Sequence, residues 1–271
     1  MKTILAATDY SKTSLNAVDY AINLAKFKQS KVVLFHAYHP PIITSDVPIS
    51  YVDFEKNENS KLNLLNKKLL KKHQNLIDIK NITVNGFALD TIVETTKNQK
   101  SDLVVMGIKN SGKAGEMVFG SVASDAAGKI SCPLLIIPDG ISFTIPKKIV
   151  FAYDNNPISI ASLNFLKDIT SIFKSELYIL NIIDLKSKLK DGAISKIEEQ
   201  FAGLKHKLYV VENDLGDIVD EINKFSDKKS IDLVVMVARK HSFLNKLFHE
   251  RKTKKMAFHT QIPLLVLNDK N

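Results

Sequence analysis

Short continuous apolar runs alternate along this chain with longer stretches in which apolar residues return at helical spacing. Lys2–Thr8 is the first run. It ends at Asp9 and Ser11, good helix-capping residues, and Leu15, Val18, Ile22 and Ala25 then mark one helical face. Lys31–Ala37 reads as a second strand. Pro40–Asn59 is polar and carries Pro40, Pro41 and Pro48, so it reads as an irregular, mobile loop. Leu62, Leu65, Leu69 and Leu76 line the next helix, with Lys67, Lys68, Lys71 and Lys72 mostly elsewhere on it. Ile82–Leu89 reads as a third strand, and Asp90 as the cap of a helix holding Ile92 and Val93. Leu103–Met106 has the unbroken apolar character of a strand buried on both faces of a parallel sheet. A helix over Ser121–Ile130 and a strand over Leu134–Ile137 complete the series.

The series then repeats. Ile4-Leu5-Ala6-Ala7-Thr8-Asp9 resembles Ile149-Val150-Phe151-Ala152-Tyr153-Asp154, at an offset of 145 (154 − 9). Asp102-Leu103-Val104-Val105-Met106 recurs at Asp232–Met236, and Pro133-Leu134-Leu135 at Pro263-Leu264-Leu265, both at an offset of 130 (232 − 102; 263 − 133). The matched segments keep their order, so the chain is two copies of one unit, residues 1–140 and 145–271, joined near Pro138–Pro146. The second copy predicts elements over Lys148–Tyr153, Ile158–Phe173, Leu177–Ile183, Ser195–Leu204, Leu208–Val211, Leu215–Phe225, Leu233–Val237, Glu250–His259 and Leu264–Leu267. Strand and helix alternate in each, which predicts an α/β fold of two tandem, doubly wound, mostly parallel five-stranded sheets with helices on both faces, Rossmann-like in architecture.

Composition narrows the classes. With 45% apolar and 25% charged residues, the 271-residue chain is globular. No apolar run approaches the ~18–20 residues of a membrane span. The apolar stretch Ile4–Ala7 is too short for a signal-peptide core, so a cytoplasmic protein is expected, with no membrane partner. Cys132 is the single cysteine, which excludes an intramolecular disulfide and a thiolate metal cluster. The net charge of +9 raises nucleic acid as a partner, but the basic residues are scattered lysines and tryptophan is absent, which fits a solvated surface better.

Two segments can carry ligand chemistry, because ligands of such folds sit beyond the carboxyl ends of the strands. One is Ala7-Thr8-Asp9, leaving the first strand. The other is Gly107 to Ser121, which holds Gly107, Gly112, Gly115 and Gly120 and ends before a helix. Glycines let backbone N–H groups approach a ligand closely, and a helix N-terminus suits phosphate. Lys109 and Lys113 can neutralise charge there. A glycine-rich loop can also simply turn the chain. The segment fits neither the Walker loop nor the dinucleotide Gly-x-Gly-x-x-Gly pattern.

Gly107-x-x-Asn110, nine residues, then Gly120-Ser121 resembles the nucleotide loop of the universal stress protein family, Gly-x-x-Gly, nine residues, Gly-Ser or Gly-Thr. Thr8-Asp9-Tyr10-Ser11, Phe35-His36-Ala37 and Cys132-Pro133-Leu134-Leu135-Ile136 resemble other family segments, and the resemblance spans essentially the whole chain in tandem. It implies that some members bind ATP and others do not. Carried over, it implies that Asp9 bonds the ribose hydroxyls. Ala7, Thr8, Ala37 and Met106 would surround adenine, and Gly107, Asn110, Gly120, Ser121 and Val122 would wrap the phosphates. Asn110 departs from the pattern; asparagine tolerates left-handed conformations, yet its side chain can crowd a phosphate.

The second copy loses the loop. At the offset of 130, Gly107 becomes Val237, Asn110 becomes Lys240, Gly120 becomes Glu250 and Ser121 becomes Arg251. It is expected to bind no ATP, and Asp154 is read as a cap or turn residue. The basic stretch Arg239–Lys255 suits either an acidic partner or anion, or a solvated helix face with charge pairs. His241, His249 and His259 match no metal-ligand spacing, so no metal is assigned. No catalytic constellation is visible and no base or Mg²⁺ carboxylate stands near the loop, so hydrolysis would be weak at most. The expectation is a stress-response or signalling protein whose first half takes ATP, with or without Mg²⁺, and whose second half is a scaffold or regulator. A nucleotide-free interaction module and a weak ATPase or autokinase are the alternatives. The last strands are expected to lie at sheet edges and to pair within the chain, with a homodimer as a further assembly.

Overall fold

The computed structural model of the chain describes residues 1–40, 51–110, 117–118, 121–184, 192–213, 218–239 and 262–269. Two compact units emerge, Met1–Ile108 with Gly120–Phe143, and Lys109–Phe119 with Thr144–Asn271. Among the described residues no helix is long and apolar enough to cross a membrane.

The first unit's sheet contains β1 (Thr3–Ala7), β2 (Lys31–Tyr38), β3 (Ile79–Asn85), β4 (Leu103–Asn110) and, after the two-residue β5 (Met117–Val118), β6 (Leu134–Pro138). The order is β3-β2-β1-β4-β6 and every pairing along it is parallel. The crossovers are α1 (Lys12–Lys28), α2 (Tyr51–Lys72), α3 (Ala88–Asn98) and α4 (Ser121–Lys129). Right-handed crossovers run outward from β1 to β3, then back across to β4 and β6, which sends α1 and α2 to one face and α3 and α4 to the other. The direction reverses between β1 and β4, so the crevice beyond their carboxyl ends is the topological switch point. Ile4, Leu5, Leu34, Phe35, Val104 and Leu134 lie buried in this sheet.

Three sequence expectations change here. The Pro40–Asn59 loop is helical from Tyr51 onward, because Phe54 and the buried Glu58 extend the inner face of α2 toward its N-terminus; residues 41–50 lie outside the described set. Leu76 lies past the end of that helix and is exposed. The third strand is Ile79–Asn85, and the next helix starts at Ala88 with Phe87 as its N-cap, so Asp90 sits in the first turn and is not the cap.

The second unit repeats the plan. β7 (Lys148–Tyr153), β8 (Glu176–Asp184), β9 (His206–Asn213), β10 (Leu233–Ala238) and β11 (Leu264–Asn268) are ordered β11-β10-β7-β8-β9, again all parallel. Its described helices are α5 (Ile160–Phe173), α6 (Ala193–Gln200) and α7 (Ile218–Lys229). The helix expected over Glu250–His259 lies outside the described residues.

The repeated letters are explained by the backbone they hold. Asp102 Oδ2 accepts from the N–H groups of Lys2 (2.5 Å) and Thr3 (2.9 Å), and Asp232 Oδ2 does the same for Lys147 (2.7 Å) and Lys148 (2.8 Å). Each carboxylate thus satisfies the entry of its unit's first strand, at the end of the sheet opposite the switch point. The carbonyls of Pro133 and Pro263 accept from Val104 and Val234 in matching registers, both at 3.0 Å. The left-handed residues Gln29 and Lys174 end α1 and α5 at the 145 offset (174 − 29).

Candidate functional site

The turn leaving β1 is held by its own side chains. Ser11 is the N-cap of α1; its Oγ accepts from Ser14 N at 3.2 Å. Asp9 Oδ1 accepts from Ser11 N at 3.0 Å and from Ser11 Oγ at 2.5 Å. Thr8 is buried, its Oγ1 lies 3.0 Å from Ser14 Oγ, and it accepts from Tyr10 N at 3.0 Å. This web fixes Asp9 at the mouth of the crevice with its carboxylate exposed to solvent. Burial alone would raise the Asp9 carboxyl, but the bonds from Ser11 and Ser14 outweigh it and hold it below its ordinary value. Asp9 is therefore an ionised acceptor at neutral pH, suited to hydroxyl donors.

Beneath the turn lies a polar layer. Tyr10 adopts a left-handed backbone (φ 64°), uncommon for a bulky residue, and its ring rests on His36 at 4.4 Å between centroids. The buried His36 places Nδ1 2.8 Å from the Thr8 carbonyl; a carbonyl only accepts, so Nδ1 carries the proton. Its Nε2 faces the buried Glu58 at 3.5 Å, and Glu58 is paired with Lys61 at 2.7 Å. Burial, with the nearby Glu58 charge adding, pushes the Tyr10 phenol up to about 12.

On the other side of the crevice stands Gly107 in β4. A Cβ there would meet the backbone oxygen of Thr13 at 2.5 Å and its carbonyl carbon at 2.9 Å. Gly107 thus lets the first turn of α1 close against β4. β4 runs on through Asn110, where Lys109 and Asn110 pair antiparallel with Val118 and Met117. The expected open loop from Gly107 to Ser121 is therefore strand-paired at its base. Gly120 lies outside the described residues; Ser121 opens α4, and nothing is described of the Asn110 and Ser121 side chains. Ala7, Thr8 and Met106 are buried, while Ala37 and Val122 are partly exposed. Ala7, Thr8, Asp9 and Ala37 fall at the carboxyl ends of β1 and β2, and Met106 and Gly107 follow the last pairing of β4 with β1, Ala6 with Val105.

The sequence model of the universal stress protein family matches residues 1–138 and again 146–268. The chain belongs to the universal stress protein family. Curated relatives match about half of the chain over nearly their whole length. Universal stress protein YxiE of Bacillus subtilis is 28% identical over 143 residues, 49% of this chain and 97% of that protein. Universal stress protein MJ0577 of Methanocaldococcus jannaschii is 24% identical over 152 residues, 50% of this chain and 94% of that one. Over the full length, the fold matches a solved universal stress protein from Archaeoglobus fulgidus with a TM-score of 0.74, 15% identity and 98% of both chains covered.

The second universal stress unit has a different crevice. Asn181, fully buried, replaces His36 at the 145 offset (181 − 36) and donates to the Tyr153 carbonyl at 3.2 Å, as His36 does to Thr8. Asn155 takes the left-handed place of Tyr10 (φ 62°). α5 starts three residues later than α1 by the same offset (160 − 157), so Ile158, the counterpart of Thr13, precedes the helix, and Val237, the counterpart of Gly107, is buried. Asp154 Oδ1 accepts from Asn156 N at 3.3 Å, a turn contact, while Ser159 caps α5. Arg239 enters this crevice: its Nη2 donates to Asp269 at 2.7 Å and its Nη1 lies 3.7 Å from Asp154. Residues 240–261 of the basic stretch lie outside the described set.

Sequence reading had not assigned His36, Tyr10 or Arg239 to either site. The 145 and 130 offsets were the available signal, because they align His36 with Asn181 and Lys109 with Arg239 (239 − 109 = 130).

Proposed function

We propose that residues 1–140 bind an adenine nucleotide, ATP with or without Mg²⁺, and that residues 145–271 form a scaffold or regulatory half that binds none, in a cytoplasmic stress-response protein. The observation that carries the reading is the prearranged turn at Asp9. An ionised carboxylate, fixed by two bonds from Ser11, stands at the topological switch point, where this fold class binds ligands. Asp9 would accept from the ribose hydroxyls. Ala7, Thr8, Ala37 and Met106 would border the base. Gly107, Asn110, Gly120, Ser121 and Val122 would follow the phosphates, with the N-terminus of α4 supplying unpaired N–H groups. Bound Mg²⁺ would offset phosphate charge.

The second half lacks these features. Val237 replaces the glycine, and Glu250 replaces Gly120, which would oppose a phosphate. We further propose that β6 and β11, each last in its unit's strand order, pair within the chain. Isothermal titration with ATP, with and without Mg²⁺, tests the nucleotide reading. Wild type should bind, and Gly120→Glu, which installs the second unit's residue, should lose binding with its fold intact. No heat with wild type, or unchanged binding by the variant, overturns it.

A further inference from the structure

Both units keep the same two acids at the switch point, Asp9 and Asp139 in the first and Asp154 and Asp269 in the second (269 − 139 = 130). What differs is the cation. At the 130 offset the first copy has an exposed Lys109 where the second has Arg239 (239 − 109). Arg239 is 16% exposed and bridges Asp154 (7%) and Asp269 (3%). Asp269 is itself braced: its Oδ2 accepts from Ser159 N at 3.1 Å, and its Oδ1 from Ser159 Oγ at 2.5 Å and from the Ser162 hydroxyl. Burial would raise the Asp269 carboxyl, but the Ser159 and Ser162 bonds and the Arg239 charge outweigh it and lower it. Asp154 Oδ2 is buried and accepts no hydrogen bond among the described residues.

We infer that the second unit's crevice is a built site for a guanidinium cation, filled in cis by Arg239. The geometry suits that class. Two buried carboxylates flank one planar fork, which hydrogen-bonds Asp269 through one nitrogen and holds the other at ion-pair distance from Asp154, a two-sided reach that a point-charge ammonium lacks. The two hydroxyls that donate to Asp269 orient its remaining lone pairs toward the cation. Among the described residues two carboxylates, Asp154 and Asp269, stand against one guanidinium, a charge balance opposite to that of a phosphate site. Arg239 is thus an internal ligand that closes the second unit and ties the end of β10 to the turn after β7 and the end of β11. The assignment is independent of whether the first unit binds ATP.

Chemical rescue of the full chain tests it. Arg239→Ala leaves two buried carboxylates without their partner, and its melting temperature should fall by about 5–10 °C. Low-millimolar methylguanidinium should restore at least half of that loss and leave wild type unmoved, while sodium chloride or methylammonium at equal ionic strength should not. An unchanged melting temperature in Arg239→Ala, or equal rescue by the three salts, overturns the assignment. Should Arg239→Ala not fold, Arg239→Lys decides by the same melt. A clear loss with the charge kept supports the fork geometry, and wild-type stability contradicts it.

Discussion

Gly107→Ala measures how tightly the first unit's crevice is built. The added methyl would sit 2.5 Å from the Thr13 carbonyl oxygen, 2.9 Å from its carbon and 3.1 Å from Thr13 Cγ2. Two of the three are backbone atoms of a helical turn, which cannot rotate away as a side chain can. Overpacking of this kind costs ~1–3 kcal/mol. If the chain escapes by unwinding the first turn of α1, it loses the Ser11 cap, ~1 kcal/mol more. Alanine's lower entropy in the unfolded chain returns ~0.4–1 kcal/mol. The net loss is ~1–3 kcal/mol, a fall of about 3–10 °C in melting temperature. The second unit shows the escape route, with a buried Val237 and a later start to α5. Thermal melts by circular dichroism give the magnitude, and amide hydrogen exchange should place the loosening at Thr8–Ser14. A variant within about 1 °C of wild type, or loosening elsewhere, would refute the packing account.

Other consequences can be measured as directly. Asp102→Asn and Asp232→Asn each weaken a carboxylate acceptor of two backbone donors, and each should cost ~1.5–3 kcal/mol in urea unfolding without touching either crevice. Asp9, Asp269 and Asp19, the last by contacts from Lys72 (2.7 Å) and His73 (2.8 Å) that outweigh its burial, are all held below the ordinary 3.8 of the unfolded chain. Their stabilisation is fully present above that value and is lost as pH falls through the folded values. These three groups should make the urea midpoint decline in acid below about pH 4, and Asp269→Asn should flatten that decline. The Cys132 thiol is pushed up to about 12, chiefly by burial with the Asp102 charge adding, so a disulfide reagent should modify it only after unfolding. Tyr10, and Tyr178 whose hydroxyl donates to the Glu176 carboxylate and is raised chiefly by that bond, both pushed up to about 12, should stay protonated in a spectrophotometric titration past the ordinary phenol range, and Glu176→Gln should lower Tyr178.

The strands, their parallel order and the repeat were legible because buried strands of a doubly wound sheet are unbroken apolar runs, and Asp102 and Asp232 repeat with their neighbours. Helix starts were less so. Phe87 caps α3 without a side-chain bond, which leaves no cue for a cap, and the residues that carry α2 back to Tyr51 face inward as Phe54 and Glu58, one of them charged. At the crevice, Asp9, Thr8 and Gly107 were visible as motif letters. The packing duty of Gly107 was not, since it depends on Thr13 across the unit. Arg239 was hidden for a similar reason: as one basic residue in a basic stretch, it declares its role only through Asp154 and Asp269, 85 and 30 positions away (239 − 154; 269 − 239).

The stoichiometry of nucleotide binding tests the central claim most directly. Titrating ATP into the intact chain should give one site per chain, abolished by Asp9→Ala and kept by Asp154→Asn. Two sites per chain, or one site that survives Asp9→Ala, would contradict the assignment of nucleotide binding to the first unit alone.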